Sequence, residues 1–280
     1  SKGQLVTKVP VVTNDEFGVI AGHTNDMIDR LLERERMAKG LGLASQIQAN
    51  LMPRSSPLLP GIQVFGYSAV CDETGGDFYD FLVRDGEESP ELVVMVGDVT
   101  GHGVGSALLM TSVRAYIKAH LLHISDLAEV MNAANSMICR DVAGSGNFIT
   151  VFLFAYNPRT RRCRWVGAGH DPGVFQAHDR SDRRELRGQD IPLGVDPHWQ
   201  YTSASEVLEP GILLLGTDGV WEAMDDKGDM FGKDRVYQKL DEYRRSSPQQ
   251  MVAGIFAELE RFTGAAAVED DRTAVIARLL

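Results

Sequence analysis

Four acidic positions in this 280-residue chain share one setting, the edge of an apolar strand. They are Asp77 after Gly75-Gly76, Asp98 after Gly97, Asp218 before Gly219, and the pair Asp270-Asp271 just before the last strand. Carboxylate oxygens are the ligands that Mg²⁺ and Mn²⁺ prefer, and glycine lets backbone carbonyls and waters approach an ion. The sequence therefore predicts a site for hard divalent cations.

The surroundings of these aspartates favour metal over other neutralising groups. Carboxylates brought together without cations raise each other's pKa, and few Lys or Arg residues lie near them in the sequence. No histidine or cysteine accompanies them at zinc-like spacing. Each aspartate taken alone is better explained as a turn or cap residue, because Asp and Gly dominate turns. The metal hypothesis therefore depends on all four positions together.

Two ions held by shared carboxylates suit hydrolysis of a phosphoester. One ion lowers the pKa of a bound water to give hydroxide near neutral pH, and both stabilise charge on the transferring phosphoryl group. No covalent nucleophile is then required, and the chain has neither a G-x-S-x-G elbow nor a Walker A loop. A protein phosphatase, a small-molecule phosphatase and a phosphodiesterase all fit these ligands.

Alternating blocks of strands and helices must position the four sites. Short strands are predicted from residue 62 to 100 and again from 148 to 216, with a pair of helices between the two groups. Helical patterns return at 233–244 and 248–262, before a last strand at the C-terminus. Strands in two groups, separated by one helical pair and followed by another, predict an α+β layered domain.

The first part of the chain has a different character, and we divide the sequence into segments 1–52 and 53–280. A capping box at residues 13–16 begins a charged amphipathic helix, and Gly40 and Gly42 are predicted to interrupt it before a second helical piece. The charged flanks and tandem helices favour a parallel coiled coil that carries a signal from an upstream module. A helix that packs on its own domain is the simpler alternative.

Composition narrows the possible partners and location. The net charge of -11 argues against nucleic acid and anionic membrane, which need a basic surface. Three widely spaced cysteines indicate a reducing compartment. No apolar run approaches the roughly 20 residues that span a bilayer. We expect a cytoplasmic chain, either free or as the cytoplasmic part of a membrane-anchored protein.

Five motifs follow one another in an order that is typical of one family. They are GGDFYDF at 75–81, GDVTGHGVGSALLM at 97–110, GAGHDPGVF at 167–175, GTDGVWEAMD at 216–225 and EDDRTAVIARL at 269–279. This set resembles the SpoIIE-type phosphatases, the bacterial branch of the metal-dependent (type 2C, PPM) Ser/Thr protein phosphatases. The resemblance implies a four-layer α-β-β-α sandwich of two antiparallel sheets flanked by helices. It also implies two Mn²⁺ or Mg²⁺ ions in a cleft at one end.

The resemblance further implies roles for individual residues. The implied ligand set is Asp77, Asp98, the backbone carbonyl of Val99, Asp218, Asp270 and, as an alternative at the acidic pair, Asp271. Asp98 would bridge the two ions, and Asp98 and Asp218 would act in catalysis through the metal-bound water. Asp271 is expected to orient its neighbour or the site water. His102 and His170 lie in loop motifs, where hydrogen bonding explains a ring better than a general-acid role does.

On this resemblance the chain is a phosphoserine/phosphothreonine phosphatase that acts on a signalling protein such as a STAS-type anti-sigma-factor antagonist. The front segment, VPVVTNDEFGVIAGHTNDMIDRLLERERM, is similar to the second half of a HAMP signalling module. That similarity implies a homodimer formed through the N-terminal helices, and helix 43–51 is predicted to control the nearby site. The alternative from a different class is a catalytically silent module that binds a phosphorylated partner, and the intact aspartates argue against it.

Overall fold

The structure is a computed structural model that describes residues 8–13, 15–86, 89–178 and 182–280. The chain divides into two compact units, Ser1–Ile47 and Gln48–Leu280. No helix in the described parts of the chain is both long enough and apolar enough to cross a membrane.

A single helix, α1 (Glu16–Leu51), forms most of the first unit and runs into the second. The predicted break at Gly40 and Gly42 is therefore wrong. A glycine inside a helix costs roughly 1 kcal/mol relative to alanine, which the surrounding helix formers can offset. The predicted cap also differs, because the side chain of Asp15 accepts the N–H groups two and three residues later, at 3.1 and 3.2 Å.

The second unit contains the remaining elements. Its strands are β1 (Ile62–Ala69), β2 (Phe78–Arg84), β3 (Glu91–Val99), β4 (Ile149–Asn157), β5 (Arg162–Ala168), β6 (Gly173–Ala177), β7 (Arg183–Leu186), β8 (Ala204–Val207), β9 (Gly211–Gly216) and β10 (Arg272–Leu279). Its helices are α2 (Val104–Leu121), α3 (Leu127–Asp141), the one-turn α4 (Asp218–Trp221), α5 (Lys233–Glu242) and α6 (Pro248–Thr263).

The strands form two five-stranded sheets. One has the order β1-β10-β9-β6-β7 and the other β2-β3-β4-β5-β8. Every pairing within them is antiparallel. The predicted pair of antiparallel sheets is confirmed.

Three apolar clusters separate four layers of structure. Met110 of α2 and Met131 of α3 pack with the outer face of β3 and β4. Phe152 and Leu213 belong to the cluster between the two sheets. Ile255 of α6 packs with the outer face of β9 and β10. This is the α-β-β-α sandwich that the sequence resemblance implies.

Antiparallel register brings the predicted site segments to one end of the sandwich. The start of β2 lies beside the end of β3, with Phe78 opposite Gly97. The start of β10 lies beside the end of β9, with Ala274 opposite Gly216. Chain segments that are far apart in sequence therefore meet where these strands begin and end.

Candidate metal centre

Asp98 lies at the end of a strand that is buried on both faces. Residues 91–97 of β3 are all buried, and Asp98 itself is half-buried. Its backbone pairs with Thr150 of β4. On the other side, a Cβ on Gly97 would lie only 2.6 Å from the ring of Phe78, so β2 packs closely against β3. Strand pairing on both sides thus holds the Asp98 carboxylate at the edge of the sheet.

The double glycine before Asp77 brings its loop against the end of β3. A Cβ on Gly76 would lie 2.5 Å from the carbonyl oxygen of Val99 and 3.3 Å from Oδ1 of Asp98. Only glycine, which has no Cβ, allows this approach. Asp77 is buried, and its Oδ2 accepts a 2.6 Å hydrogen bond from the hydroxyl of Thr217. The loop therefore places two carboxylates and one backbone carbonyl side by side.

Asp218 and Asp270 come from the other sheet and form the open side of the site. Asp218 begins α4 directly after β9, and Asp270 precedes β10. A Cβ on Gly219 would lie 1.9 Å from the carbonyl oxygen of Asp271 and 3.4 Å from Cβ of Asp270, so the two segments touch. Both Asp218 and Asp270 are exposed to solvent.

Asp271 is enclosed, with only 3% of its surface exposed, and it holds the opposite loop together. Its Oδ1 accepts the N–H of Cys71 at 2.8 Å. Its Oδ2 accepts the N–H of Gly76 at 2.7 Å and that of Asp77 at 3.3 Å. These contacts engage both carboxylate oxygens, which favours its exposed neighbour Asp270 as a metal ligand and Asp271 as the organiser of the loop.

The cluster gathers carboxylates that no Lys or Arg among the described residues pairs with. Burial, together with repulsion from Asp218, Asp270 and Asp271, raises the pKa of Asp98 to about 7. Burial and the charge of Asp98 raise the pKa of Asp77 well above its usual value. Within the described ranges, no Lys or Arg forms an ion pair with any of these five aspartates.

This donor set fits hard divalent cations. It combines carboxylate oxygens with the backbone carbonyl of Val99, the ligand types that Mg²⁺ and Mn²⁺ prefer. As they stand, no group of three or more Asp, Glu, His or Cys side chains among the described residues is placed to hold a metal ion. Ion binding must therefore include side-chain reorientation, which the exposed Asp218 and Asp270 permit. Cations would also relieve the repulsion that raises the pKa of Asp98.

The two histidines of the loop motifs have hydrogen-bond partners. Nδ1 of His102 lies 2.7 Å from Oδ2 of Asp72 at an exposed position. Nδ1 of His170 lies 2.9 Å from the hydroxyl of Thr150. Burial lowers the pKa of His170 to about 4, so the ring is neutral at pH 7. An enclosed neutral ring is unsuited to donating a proton to a leaving group.

Sequence patterns alone did not single out two residues that support the site. The hydroxyl of Thr217 donates to Asp77 and accepts the N–H of Thr273 at 3.0 Å. The amide of Gln48, near the end of α1, donates to the carbonyl of Gly75 at 2.7 Å and accepts the N–H of Gly75 at 3.1 Å. In the sequence, Thr217 is marked only by its position next to the predicted ligand Asp218. Gln48 has no distinguishing sequence feature beyond its place in a helical pattern.

Solved structures share the fold of this chain. The SiaA-PP2C domain of Pseudomonas aeruginosa matches with a TM-score of 0.76 at 23% identity, over 89% of this chain and 99% of that one. The catalytic domain of the serine threonine protein phosphatase PstP, solved with two manganese ions, matches with a TM-score of 0.55 at 16% identity, over 78% and 98%. The chain has the fold of PP2C phosphatase domains.

The family follows from sequence. Residues 88–280 match the family model of Stage II sporulation protein E (SpoIIE), and the chain belongs to this family. Protein IcfG of Synechocystis sp. is 27% identical over 251 residues, which cover 79% of this chain and 37% of that protein. Phosphoserine phosphatase RsbP of Bacillus subtilis is 27% identical over 188 residues, which cover 65% and 45%. The chain thus spans less than half the length of these relatives.

Proposed function

We propose that the chain is a Mn²⁺- or Mg²⁺-dependent phosphatase that removes phosphate from phosphoserine or phosphothreonine in a signalling protein. The observation that carries the proposal is the convergence of Asp77, Asp98, Asp218 and Asp270 at one end of the sandwich without a Lys or Arg partner among the described residues. RsbP, a relative named as a phosphoserine phosphatase, supports the substrate class. The manganese-containing PstP structure supports the choice of cation.

Each residue has a separate task in this proposal. Asp98 would serve both ions, Asp77 and the backbone carbonyl of Val99 would help to hold one of them, and Asp218 and Asp270 would help to hold the other. When bound, the two ions supply positive charge that makes water more acidic and stabilises the phosphoryl oxygens. The protein contributes position: strand pairing holds Asp98, and the hydroxyl of Thr217 holds the Asp77 carboxylate.

The proposed substrate is a phosphorylated signalling protein, with a STAS-type anti-sigma-factor antagonist as the candidate that the family resemblance implies. A reducing, cytoplasmic location belongs to the same proposal, and all three cysteines are free. The HAMP-like nature of the N-terminal segment stays a prediction.

The proposal is tested by phosphate release from a phosphoserine peptide with Mn²⁺, Mg²⁺ or EDTA. We expect release with either metal and none with EDTA. Turnover of bis(p-nitrophenyl) phosphate without turnover of phosphopeptides would instead assign a phosphodiesterase. A calorimetric titration that shows no Mn²⁺ binding at millimolar concentration would instead support the silent binding module.

We also propose that α1 joins two copies of the chain. Large apolar side chains, including Ile20, Met27 and Leu31, are exposed along this helix. A second copy of the same helix would cover them as a coiled coil does. Sedimentation equilibrium measures the mass directly, and a monomer at micromolar concentration would contradict a dimer formed by α1.

Gln48 gives the predicted control of the site by helix 43–51 a physical basis. Its buried side chain holds both backbone groups of Gly75, two residues before Asp77. Gln48→Leu would leave these groups without partners, at a cost of about 1–3 kcal/mol. We expect the Mn²⁺ concentration for half-maximal activity to rise about 10-fold.

The exposed Gln46 of the same helix offers a matched control. Gln46→Leu makes the same chemical change without touching the loop, and its Mn²⁺ requirement should equal that of the wild type. Equal Mn²⁺ requirements for Gln48→Leu and Gln46→Leu would argue against a link between α1 and the site.

A further inference from the structure

A cleft of about 610 Å³ opens beside the candidate metal centre. It lies between the segment 219–228, which follows Asp218, and the segment 266–272, which contains Asp270. We call this cleft the acidic groove. Its volume is within the roughly 300–1,000 Å³ that is typical of ligand sites. A molecule bound in the groove would be next to the residues that handle the phosphoryl group.

All but one of the charged residues that line the acidic groove are carboxylates. Glu222, Asp225, Asp226 and Glu269 line it in addition to the proposed ligand Asp270. The carboxylate of Asp225 accepts the N–H groups two and four residues later, at 2.9 and 3.0 Å, and so fixes the shape of its loop. The other three side chains are exposed. Cations bound by Asp270 would leave these four charges in place, so the rim stays negative in the metal-loaded protein.

Arg272 also lines the groove and is the one basic side chain among the residues that line it. Only 7% of its surface is exposed. Burial lowers the pKa of its guanidinium, and the negative charge of Glu260 only partly opposes this effect. No hydrogen bond or ion pair to the Arg272 side chain is formed by the residues that the structure describes. The guanidinium nitrogens of Arg272 are not fully buried, so water in the groove or a bound ligand can supply the acceptors that the described residues do not.

An extended peptide provides both kinds of group that the groove requires. Its backbone carbonyls accept hydrogen bonds from a guanidinium such as that of Arg272, and a Lys or Arg side chain pairs with the carboxylates of the rim. A phosphoserine bound at the cations that Asp270 would hold would have its neighbouring residues within reach of the groove.

We propose that the acidic groove binds the residues that flank the phosphoserine of the substrate and selects Lys or Arg there. This inference rests on the proposed phosphatase function and adds the sequence preference of that site. Electrostatic complementarity of this kind acts mainly on specificity and association, and salt weakens it.

The test compares phosphoserine peptides that carry Lys, Ala or Glu within three residues of the phosphoserine. For the wild type we expect kcat/KM about 10-fold higher for Lys than for Glu, with the ratio shrinking in 0.5 M NaCl. Asp226→Lys should reduce this ratio to about 2 or less. Arg272→Gln should raise KM by the same factor for all three peptides, because the proposed contact of Arg272 is to the peptide backbone. The KM for p-nitrophenyl phosphate is the reference for this increase.

Asp85→Lys is the matched control, because it changes the net charge equally. Asp85 is exposed and follows β2 at the end opposite Asp77, about 26 Å away along the extended chain. The Asp85→Lys variant should keep the wild-type ratio of kcat/KM for the Lys peptide to that for the Glu peptide. Equal kcat/KM for Lys and Glu peptides, or the same loss in Asp226→Lys and Asp85→Lys, would overturn the groove proposal.

Binding separates failure of the groove proposal from failure of the proposed function. Fluorescence anisotropy of labelled Lys and Glu peptides measures affinity without turnover. If the wild type binds the Lys peptide more tightly than the Glu peptide and Asp226→Lys abolishes this difference, the groove proposal is supported. This holds even if no peptide loses phosphate, a result that would refute only the phosphatase function. Phosphate release without any preference in rate or affinity would refute only the groove.

Discussion

Asp98→Asn is expected to lower Mn²⁺-dependent phosphate release from a phosphoserine peptide on the order of 10³-fold. Asp98 is the one carboxylate proposed to serve both ions. An amide keeps its size and shape but removes the charge and one acceptor oxygen. The substitution therefore removes electrostatic stabilisation of the transition state and changes little else in the packing. Initial rates at saturating Mn²⁺ measure the effect.

The same variant should be more stable than the wild type when metal is absent. Burial and repulsion from the other carboxylates raise the pKa of Asp98 to about 7, so its ionised form is unfavourable in the metal-free fold. Asn removes that cost, and thermal melting in EDTA at pH 7.5 should show a higher Tm. Added Mn²⁺ should then raise the Tm of the wild type and leave that of the variant nearly unchanged.

Loss of activity together with a gain in metal-free stability distinguishes a ligand from a residue needed for folding. The exposed Asp85 again supplies a control, since Asp85→Asn should alter neither property. An Asp98→Asn variant with activity within threefold of the wild type would contradict the bridging role. A lower Tm in EDTA would contradict the electrostatic account.

Asp271→Ala is expected to have the largest effect on stability. It would leave the enclosed N–H groups of Cys71, Gly76 and Asp77 without their acceptor. Buried donors without partners cost about 1–3 kcal/mol each, and partial access to water reduces the sum. We expect the free energy of unfolding to fall by about 3–5 kcal/mol, measured by urea denaturation in EDTA.

The neighbouring Asp270 provides the contrast. Asp270 is exposed, so Asp270→Ala should change the free energy of unfolding by less than about 0.5 kcal/mol while weakening Mn²⁺ binding. Asp271→Asn keeps one acceptor oxygen and should fall between the wild type and Asp271→Ala in stability. If Asp271→Ala unfolds like the wild type and Asp270→Ala does not, the roles of the two residues are the reverse of those proposed.

Much of the site was predictable because its signals are local in sequence. The apolar run of β3 ending at Asp98 shows a buried strand that presents a carboxylate, and the glycines at 75 and 76 show a close backbone approach. The ordered motifs identified the layered fold before any contact was known. These features depend on residues within a few positions of one another, where side-chain period and turn chemistry act directly.

The tertiary structure distinguished residues that look alike in sequence by their contacts and exposure. Asp270 and Asp271 are the same residue type at adjacent positions. The carboxylate of Asp271 is buried and accepts backbone N–H groups 194–200 residues away, whereas Asp270 is exposed to solvent. Thr217 holds a carboxylate 140 residues away, and Gln48 holds a loop 27 residues away. Gly40 and Gly42 do not break α1, because the helix as a whole offsets their local cost.

The sequence by itself thus determined the family, the fold class and the candidate ligands of the metal centre. Only the folded chain separated Asp270 from Asp271, linked Gln48 to the loop before Asp77 and placed Arg272 at the acidic groove without a partner among the described residues. The reason is physical: a residue type and its spacing specify which groups can act. Which atoms a side chain meets depends on segments that only the packing of two sheets brings together.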